Sequence, residues 1–211
     1  MTRDSSPRSQ ADEVVIVRAT LDHAPAVLHL LDLAVEWLVS QDRVGQWGTE
    51  PFSEKPKKVE QLKEFTTTGF GVWLAIKISD DKAVLEEHKT SATLYKSPDG
   101  AVRGIIVGAM AAGDKIPYAP PVDEPETYVR LLVTDRKWKN YGIGSRLLEH
   151  AKKLAREVAR VSLLRLDCYG GDDGKLIRYY ESQGFERCAT KDVEGWPCQV
   201  LAMRLGEVKG E

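Results

Sequence analysis

Cysteine is scarce in this chain, and long apolar runs are missing altogether. The three cysteines, Cys168, Cys188 and Cys198, are odd in number and show no Cys-x-x-Cys spacing. That argues against a disulfide framework and against a zinc site, so no metal is expected. Reduced thiols of this kind fit a cytoplasmic protein. No stretch approaches the roughly 20 consecutive apolar residues of a membrane span. The opening MTRDSSPRSQADE lacks the apolar core of a secretory signal, and Asp4, Asp12 and Glu13 argue against an organelle transit segment. Residues 1–12 are expected to be a disordered tail. An excess of one charge is also lacking: the formal net charge is -2. No global positive field exists to hold nucleic acid or an anionic membrane, although Arg136, Lys137 and Lys139 form a local basic cluster.

What remains is an ordinary globular composition, 42% apolar and 29% charged, in 211 residues without repeats or low-complexity tracts. One α/β domain over residues 13–206 is the economical expectation. Val14–Arg18 is a β-branched run and the first predicted strand. Asp22 is placed to cap the helix that follows, with Pro25 in its first turn, and Val27, Leu31, Ala34, Val35 and Leu38 recur at helical spacing. Residues 41–56 read as loop and 57–67 as a second helix closed by Gly69. Val72, Leu74, Ile76 and Ile78 alternate along a strand. Residues 79–100 read as a long hairpin excursion turning at Ser97-Pro98-Asp99-Gly100. Val102–Ala112 returns as a strand in which Gly104 and Gly108 imply close approach by another backbone. After a proline-rich loop over 113–126, strands are predicted at Thr127–Thr134 and Leu163–Tyr169, and helices at Ser145–Arg160 and Lys175–Gln183. Phe185–Cys188 and Gln199–Leu205 close the domain as a hairpin.

The chemistry concentrates in Leu131-Leu132-Val133-Thr134, Lys139-Asn140-Tyr141-Gly142-Ile143-Gly144 and Ser145-Arg146-Leu147-Leu148. A strand running through a glycine turn into a helix leaves backbone N–H groups unpaired and aimed one way, and the helix dipole adds partial positive charge there. This is an anion site that glycines leave open to close approach. The dinucleotide fingerprint would need a small residue where Leu147 stands, and a phosphate-binding P-loop would need Gly-Lys-Ser/Thr after the turn. Downstream comes Arg178-Tyr179-Tyr180-Glu181-Ser182-Gln183-Gly184-Phe185. In this order and spacing, Leu131–Leu148 resembles the acyl-CoA-binding motif [Arg/Gln]-x-x-Gly-x-[Gly/Ala] of the GNAT superfamily of N-acetyltransferases. Tyr179–Phe185 resembles that superfamily's Tyr-Glu-x-x-Gly-Phe motif. The resemblance is specific over 127–188 and compatible over 14–126 and 189–205.

The resemblance implies a mixed, twisted sheet of six or seven strands flanked by about four helices, with the fourth and fifth strands splayed apart to admit the cofactor's pantetheine arm. It implies that Leu132 and Val133 bond the pantetheine through their backbone, and that the amides of Lys139, Asn140, Tyr141, Gly142, Ile143, Gly144 and Ser145 cradle the pyrophosphate of acetyl-CoA. There are departures. Lys139 stands where the motif has Arg or Gln, and supplies charge without a bidentate fork. The stretch Val133–Lys139 is one residue longer than expected. Asp173, seven residues before Tyr180, stands where the family often has a cofactor-contacting Asn, and an acid there would weaken that contact or move it to Asp172. Tyr180 is the general-acid candidate, with Tyr179 expected to pack in the core. A backbone N–H near Val133 would polarise the thioester carbonyl. Glu36, at the end of the first helix, is the general-base candidate. Cys168 reads as a buried structural thiol rather than a covalent nucleophile.

Trp37, Gln46, Trp47 and Trp196 are the candidate lining for the acceptor. The partners implied are acetyl-CoA and a primary amine, with no nucleic acid or membrane; a homodimer is compatible. A small-molecule amine is favoured because no chromatin- or ribosome-binding module is recognisable. A protein lysine or N-terminal acetyltransferase, and a catalytically silent acyl-CoA-binding module, are the alternatives.

Overall fold

Alternation and burial decide which strands become the centre of the sheet. The computed structural model describes residues 14–79, 81–87, 94–115, 118–171, 173–193 and 195–206; the expected tail over 1–12 and the contact assigned to Asp172 lie outside the described residues. The elements are β1 (Val14–Arg18), α1 (Ala24–Ser40), α2 (Pro56–Thr67), β2 (Gly71–Ile78), α3 (Lys82–Glu87), β3 (Leu94–Lys96), β4 (Arg103–Gly113), β5 (Glu126–Thr134), α4 (Ile143–Lys153), β6 (Leu163–Tyr169), α5 (Lys175–Ser182), β7 (Glu186–Val193) and β8 (Trp196–Arg204). Seven strands run in the order β1-β2-β4-β5-β6-β8-β7, and the short β3 pairs with β4. Neighbours are antiparallel except β5 and β6, which are parallel and therefore need the α4 crossover between them. In β4 every residue after Arg103 is buried, as expected of a strand covered on both faces.

Helices cover both sides. On one face Leu30, Leu31 and Leu62 of α1 and α2 pack with Leu74, Ile76, Ile106, Ala109 and Val133. On the other, Leu147, Leu148 and Ala151 of α4 and Ile177 and Tyr180 of α5 pack with Met110, Val129, Leu164, Leu166 and Cys168. The mixed sheet and its helices follow the expected architecture, with α3 as an additional short helix.

Several local expectations are corrected. Asp22 does not cap α1: it lies within a short 3₁₀ turn, Leu21–His23, whose own cap is Thr20. The Thr20 amide donates to Nδ1 of His23 at 3.0 Å and its hydroxyl lies 2.9 Å from the same nitrogen; α1 follows with His23 at its cap position and no side-chain cap. The helix expected from Ser145 begins two residues earlier, at Ile143, and its last turns, Leu154–Ala159, widen to π-helical winding ended by Arg160 in a left-handed conformation. The excursion at 79–100 carries α3 as well as its hairpin, whose turn is the expected one, closed by the Gly100 amide on the Ser97 carbonyl at 2.9 Å. Gly104 does meet backbone: a Cβ there would lie 2.1 Å from the Lys77 carbonyl oxygen. The closing hairpin is longer than expected, spanning Glu186–Val193 and Trp196–Arg204.

Candidate active site

β5 and β6 pair only at their beginnings. The register runs from Glu126 opposite Leu163 to Val129 opposite Leu166 and stops there, although β5 continues to Thr134 and β6 to Tyr169. The cause is a bulge on the other edge of β5. Leu131 faces Ala111 and Val129 faces Ala112, so Arg130 is an extra residue, and a bulge bends and overtwists its strand. The Arg130 side chain is anchored away from the gap, on Asp114 at 2.7 Å and the Lys115 carbonyl at 3.0 Å. Beyond the bulge, Leu132 and Val133 present a backbone edge towards β6 that no strand occupies. The expected splay is present between these two strands.

The glycine turn follows at the mouth of this wedge. Arg136–Trp138 form a 3₁₀ turn whose entry Asp135 caps, its carboxylate accepting from the Lys137 amide at 2.9 Å; this turn takes up the length of the Val133–Lys139 stretch. Asn140 and Gly142 then adopt left-handed conformations, φ 75° and 66°. Among the described residues, the amides of Asn140, Gly142, Ile143, Gly144 and Ser145 have no acceptor. The helix starts at Ile143, so three of these are first-turn amides at the positive end of the α4 dipole. Lys139 and Tyr141 are exposed beside them. Two contacts fix the position of this turn. A Cβ on Gly108 of β4 would lie 2.9 Å from Cγ2 of Ile143, and one on Gly144 would lie 2.4 Å from the Tyr179 hydroxyl.

The two tyrosines of α5 exchange the burial expected of them. Tyr180 is the buried one, at 6% exposure, packed edge-on to Phe185. Tyr179 is half-buried, with its hydroxyl against the cradle glycine. The reason is the angle between neighbouring helix positions: α5 turns Tyr180 towards Cys168 in the core, which leaves Tyr179 facing α4. The Tyr180 hydroxyl makes no hydrogen bond among the described residues, and burial raises its pKa. The three cysteines are free; burial pushes Cys168 up to about 12, the state of an inert thiol rather than a nucleophile. Asp173 is engaged elsewhere, bridging Arg43 at 2.6 Å and Lys175 at 2.7 Å and accepting from the Lys175 amide at 3.0 Å. Those hydrogen bonds and its cationic neighbours hold its carboxyl well below the usual range.

On the α1 face of the splay, the loop after α1 is drawn across the end of β6. The Trp196 indole donates to the Gln46 carbonyl at 2.6 Å, and a Cβ on Gly45 would lie 2.3 Å from the Tyr169 hydroxyl. Gln46 and Trp196 are thus brought together. Trp37 is half-buried beneath the Arg136 guanidinium, 3.2 Å from its ring centroid, next to a depression of about 140 Å³ lined by Leu33, Ala34 and Thr134–Lys137. Trp47 packs edge-on to Phe52 at 5.2 Å and, partly buried, against the apolar cluster on the α1 side. Glu36 is exposed on α1. A larger depression of about 410 Å³, lined by Ile16, Arg146, His150 and Lys153 among others, lies on α4 at the β1 end of the sheet, several strands from the splay.

Sequence reasoning missed Asp167, Tyr118 and Tyr128. The Tyr128 hydroxyl donates to Asp167 Oδ1 at 3.0 Å, and that of Tyr118 lies 3.4 and 3.3 Å from the two carboxylate oxygens. One signal was available. With Leu164, Leu166 and Cys168 on one face of β6, Arg165 and Asp167 must share the other, and charged residues inside a central strand call for a reason. Among the described residues no cluster of three His, Cys, Asp or Glu could hold a metal, and no helix is long and apolar enough to cross a membrane.

Residues 50–185, more than half of the chain, match the family model of the Acetyltransferase (GNAT) family. No curated protein sequence matches the chain. Solved structures with a similar fold include the ribosomal-protein-alanine N-acetyltransferase from Brucella melitensis, 21% identical, covering 90% of this chain and 99% of that one with a TM-score of 0.57. A GNAT-family acetyltransferase from Listeria monocytogenes 4b F2365 is 17% identical over 91% of this chain and 95% of that one, with a TM-score of 0.55. A chain of the NatC complex bound to Gag peptide and CoA is 17% identical over 92% and 99%, with a TM-score of 0.52. At such identities the likeness is one of fold.

Proposed function

Because the chain belongs to the GNAT acetyltransferase family, we propose that it transfers an acetyl group from acetyl-CoA to a primary amine of a small molecule, by direct attack within a ternary complex. The observation that carries this reading is the continuity of an unpaired β5 edge with a turn of unpaired amides. One accepts an extended, amide-bearing arm, and the other accepts the pyrophosphate at its end. Leu132 and Val133 hold the pantetheine through their backbone, and a backbone N–H near Val133 polarises the thioester carbonyl. The amides of Asn140 and of Gly142 to Ser145 hold the pyrophosphate, those of Lys139 and Tyr141 being bonded to the Arg136 and Trp138 carbonyls, with the Lys139 ammonium as an exposed counter-charge. Asp173 contributes by fixing the start of α5 and, through Arg43, the loop after α1.

In the chemical step the amine nitrogen bonds to the acetyl carbon, the carbon–sulfur bond breaks, and Tyr180 gives its proton to the departing thiolate. Glu36, exposed on α1, attracts a cationic acceptor rather than taking its proton at the reacting centre. The lining proposed for the acceptor is Trp37, Gln46 and Trp196, with Trp47 packed behind them.

The test is a screen of free amines and of peptides with free N-termini or lysines, scored by acetyl-CoA-dependent thiol release. Turnover of free amines supports the reading. Turnover confined to peptides would move the assignment to a protein acetyltransferase, and tight acetyl-CoA binding without turnover on either set would make the chain a silent binding module.

A further inference from the structure

Asp167 follows Leu166, the last β6 residue paired with β5, so it stands at the apex of the splay. Strand alternation turns it away from Cys168 and Tyr180, towards the α1 face. Its donors there are the hydroxyls of Tyr128 and Tyr118 and, at 3.7 Å, the Cys198 thiol. All three are neutral groups. Among the described residues no cation pairs with it. The arginine two positions back, Arg165, is committed to Glu126 at 3.2 Å and to the Pro120 carbonyl at 2.9 Å. A carboxylate lodged between neutral donors has lost water with only the nearby charge of Arg165, which it does not pair with, to offset the loss, and an arriving cation would stabilise it. Its oxygens also retain lone pairs, because a carboxylate offers about four acceptor positions.

The walls around it suit a cation as well. Tyr169, two residues further along the same face, lies 5.9 Å ring to ring from Trp196, and the Gln46 carbonyl anchors that indole. Aromatic faces attract ammonium groups. Burial raises the Asp167 pKa from its ordinary value, against the pull of the two tyrosines, towards the range in which a carboxylate accepts a proton efficiently.

We propose that Asp167, held by Tyr118 and Tyr128 at the apex of the splay, receives the ammonium group of the acceptor and takes its proton, so that the acceptor is a cationic primary amine. This rests on the acetyl-transfer reading above. The ammonium loses one proton to Asp167, and from there to solvent. The freed nitrogen lone pair forms the new bond to the acetyl carbon as the carbon–sulfur bond breaks. The nitrogen's second proton leaves through Asp167 to solvent as the tetrahedral intermediate collapses, and the Tyr180 phenolate, having given its proton to sulfur, takes one back from solvent, so that one proton is released overall. Proton acceptor and proton donor then act from opposite faces of the sheet, through the gap between β5 and β6.

The test uses the full chain with saturating acetyl-CoA and two acceptor sets: alkylamines such as butylamine, phenethylamine and cadaverine, and the weak base aniline. Asp167→Asn should lower kcat/KM for every accepted alkylamine by about 100-fold or more, the scale of general-base catalysis, and leave acetyl-CoA affinity within about twofold of wild type. Tyr118→Phe, on a surface loop, should raise the alkylamine KM several-fold with little change in kcat. It decides the matter alone if Asp167→Asn does not fold. Wild-type kcat/KM in Asp167→Asn, an unchanged KM in Tyr118→Phe, or aniline accepted as well as alkylamines would overturn the inference while leaving acetyl transfer standing. A wild-type chain that binds no acetyl-CoA would bring down the acetyl-transfer reading itself.

Discussion

A phenol shut away from water holds its proton tightly, because the phenolate has most to lose from poor solvation. Tyr180 is in that position, buried beside Cys168 and Phe185 with its hydroxyl unbonded among the described residues. Such a group keeps its proton throughout the neutral range and releases it only to a base formed next to it, which a departing thiolate is. Replacing it with Phe removes one oxygen and leaves the packing in place. Tyr180→Phe is expected to lower kcat about 100-fold with acetyl-CoA affinity, read by calorimetry, within about twofold. The deficit should be equal at all values between about pH 6 and 9, since the phenol does not ionise there. Unchanged turnover would remove Tyr180 from the chemistry. Asp173, whose motif position implies a cofactor contact, also binds within the protein, to Arg43, Lys175 and the first amide of α5.

At the scale of elements, the cradle depends on how closely α4 approaches the sheet. Gly108 makes the approach achievable, since a Cβ there would meet Ile143 Cγ2 at 2.9 Å, the Val133 carbonyl oxygen at 3.1 Å and Leu147 Cδ1 at 3.2 Å. Three sides are closed, one of them by backbone, so the strain cannot be relieved by moving one side chain. Gly108→Ala is expected to destabilise the fold by about 1–3 kcal/mol and to displace the first turn of α4, weakening acetyl-CoA binding. A melting temperature and affinity both equal to wild type would show that α4 tolerates the shift. The glycine was legible as a close-approach position in the sequence. The Arg130 bulge was not: Tyr-Val-Arg-Leu-Leu-Val reads as a regular strand, and an extra residue becomes visible only against the register of β4.

For the whole molecule, two apolar layers clamp a sheet that is deliberately incomplete between β5 and β6, and a ligand filling that gap couples the two halves. A ligand bound only by the folded state stabilises it by mass action, by about 2.7 kcal/mol at 100 times its Kd. For a domain of this size, acetyl-CoA at that concentration should raise the melting temperature by roughly 5–10 °C. No shift even at millimolar ligand would contradict the binding assigned to the splay.

The chain sequence by itself determined the order of strands and helices, the anion-binding turn and the pairing of that turn with the Tyr180 helix. These are set by neighbours within a few residues, through glycine conformations, apolar periodicity and the amides a helix start must leave free. Tertiary structure alone decided which tyrosine is buried, that Trp196 bonds the Gln46 carbonyl, and that Asp167 is held by neutral donors with no ion pair among the described residues. Its tyrosine donors lie 39 and 49 residues away along the chain, and only the packing of β5 and the proline-rich loop against β6 brings them together. Contacts of that range depend on how strands are registered and layered, and no local pattern of residues records it.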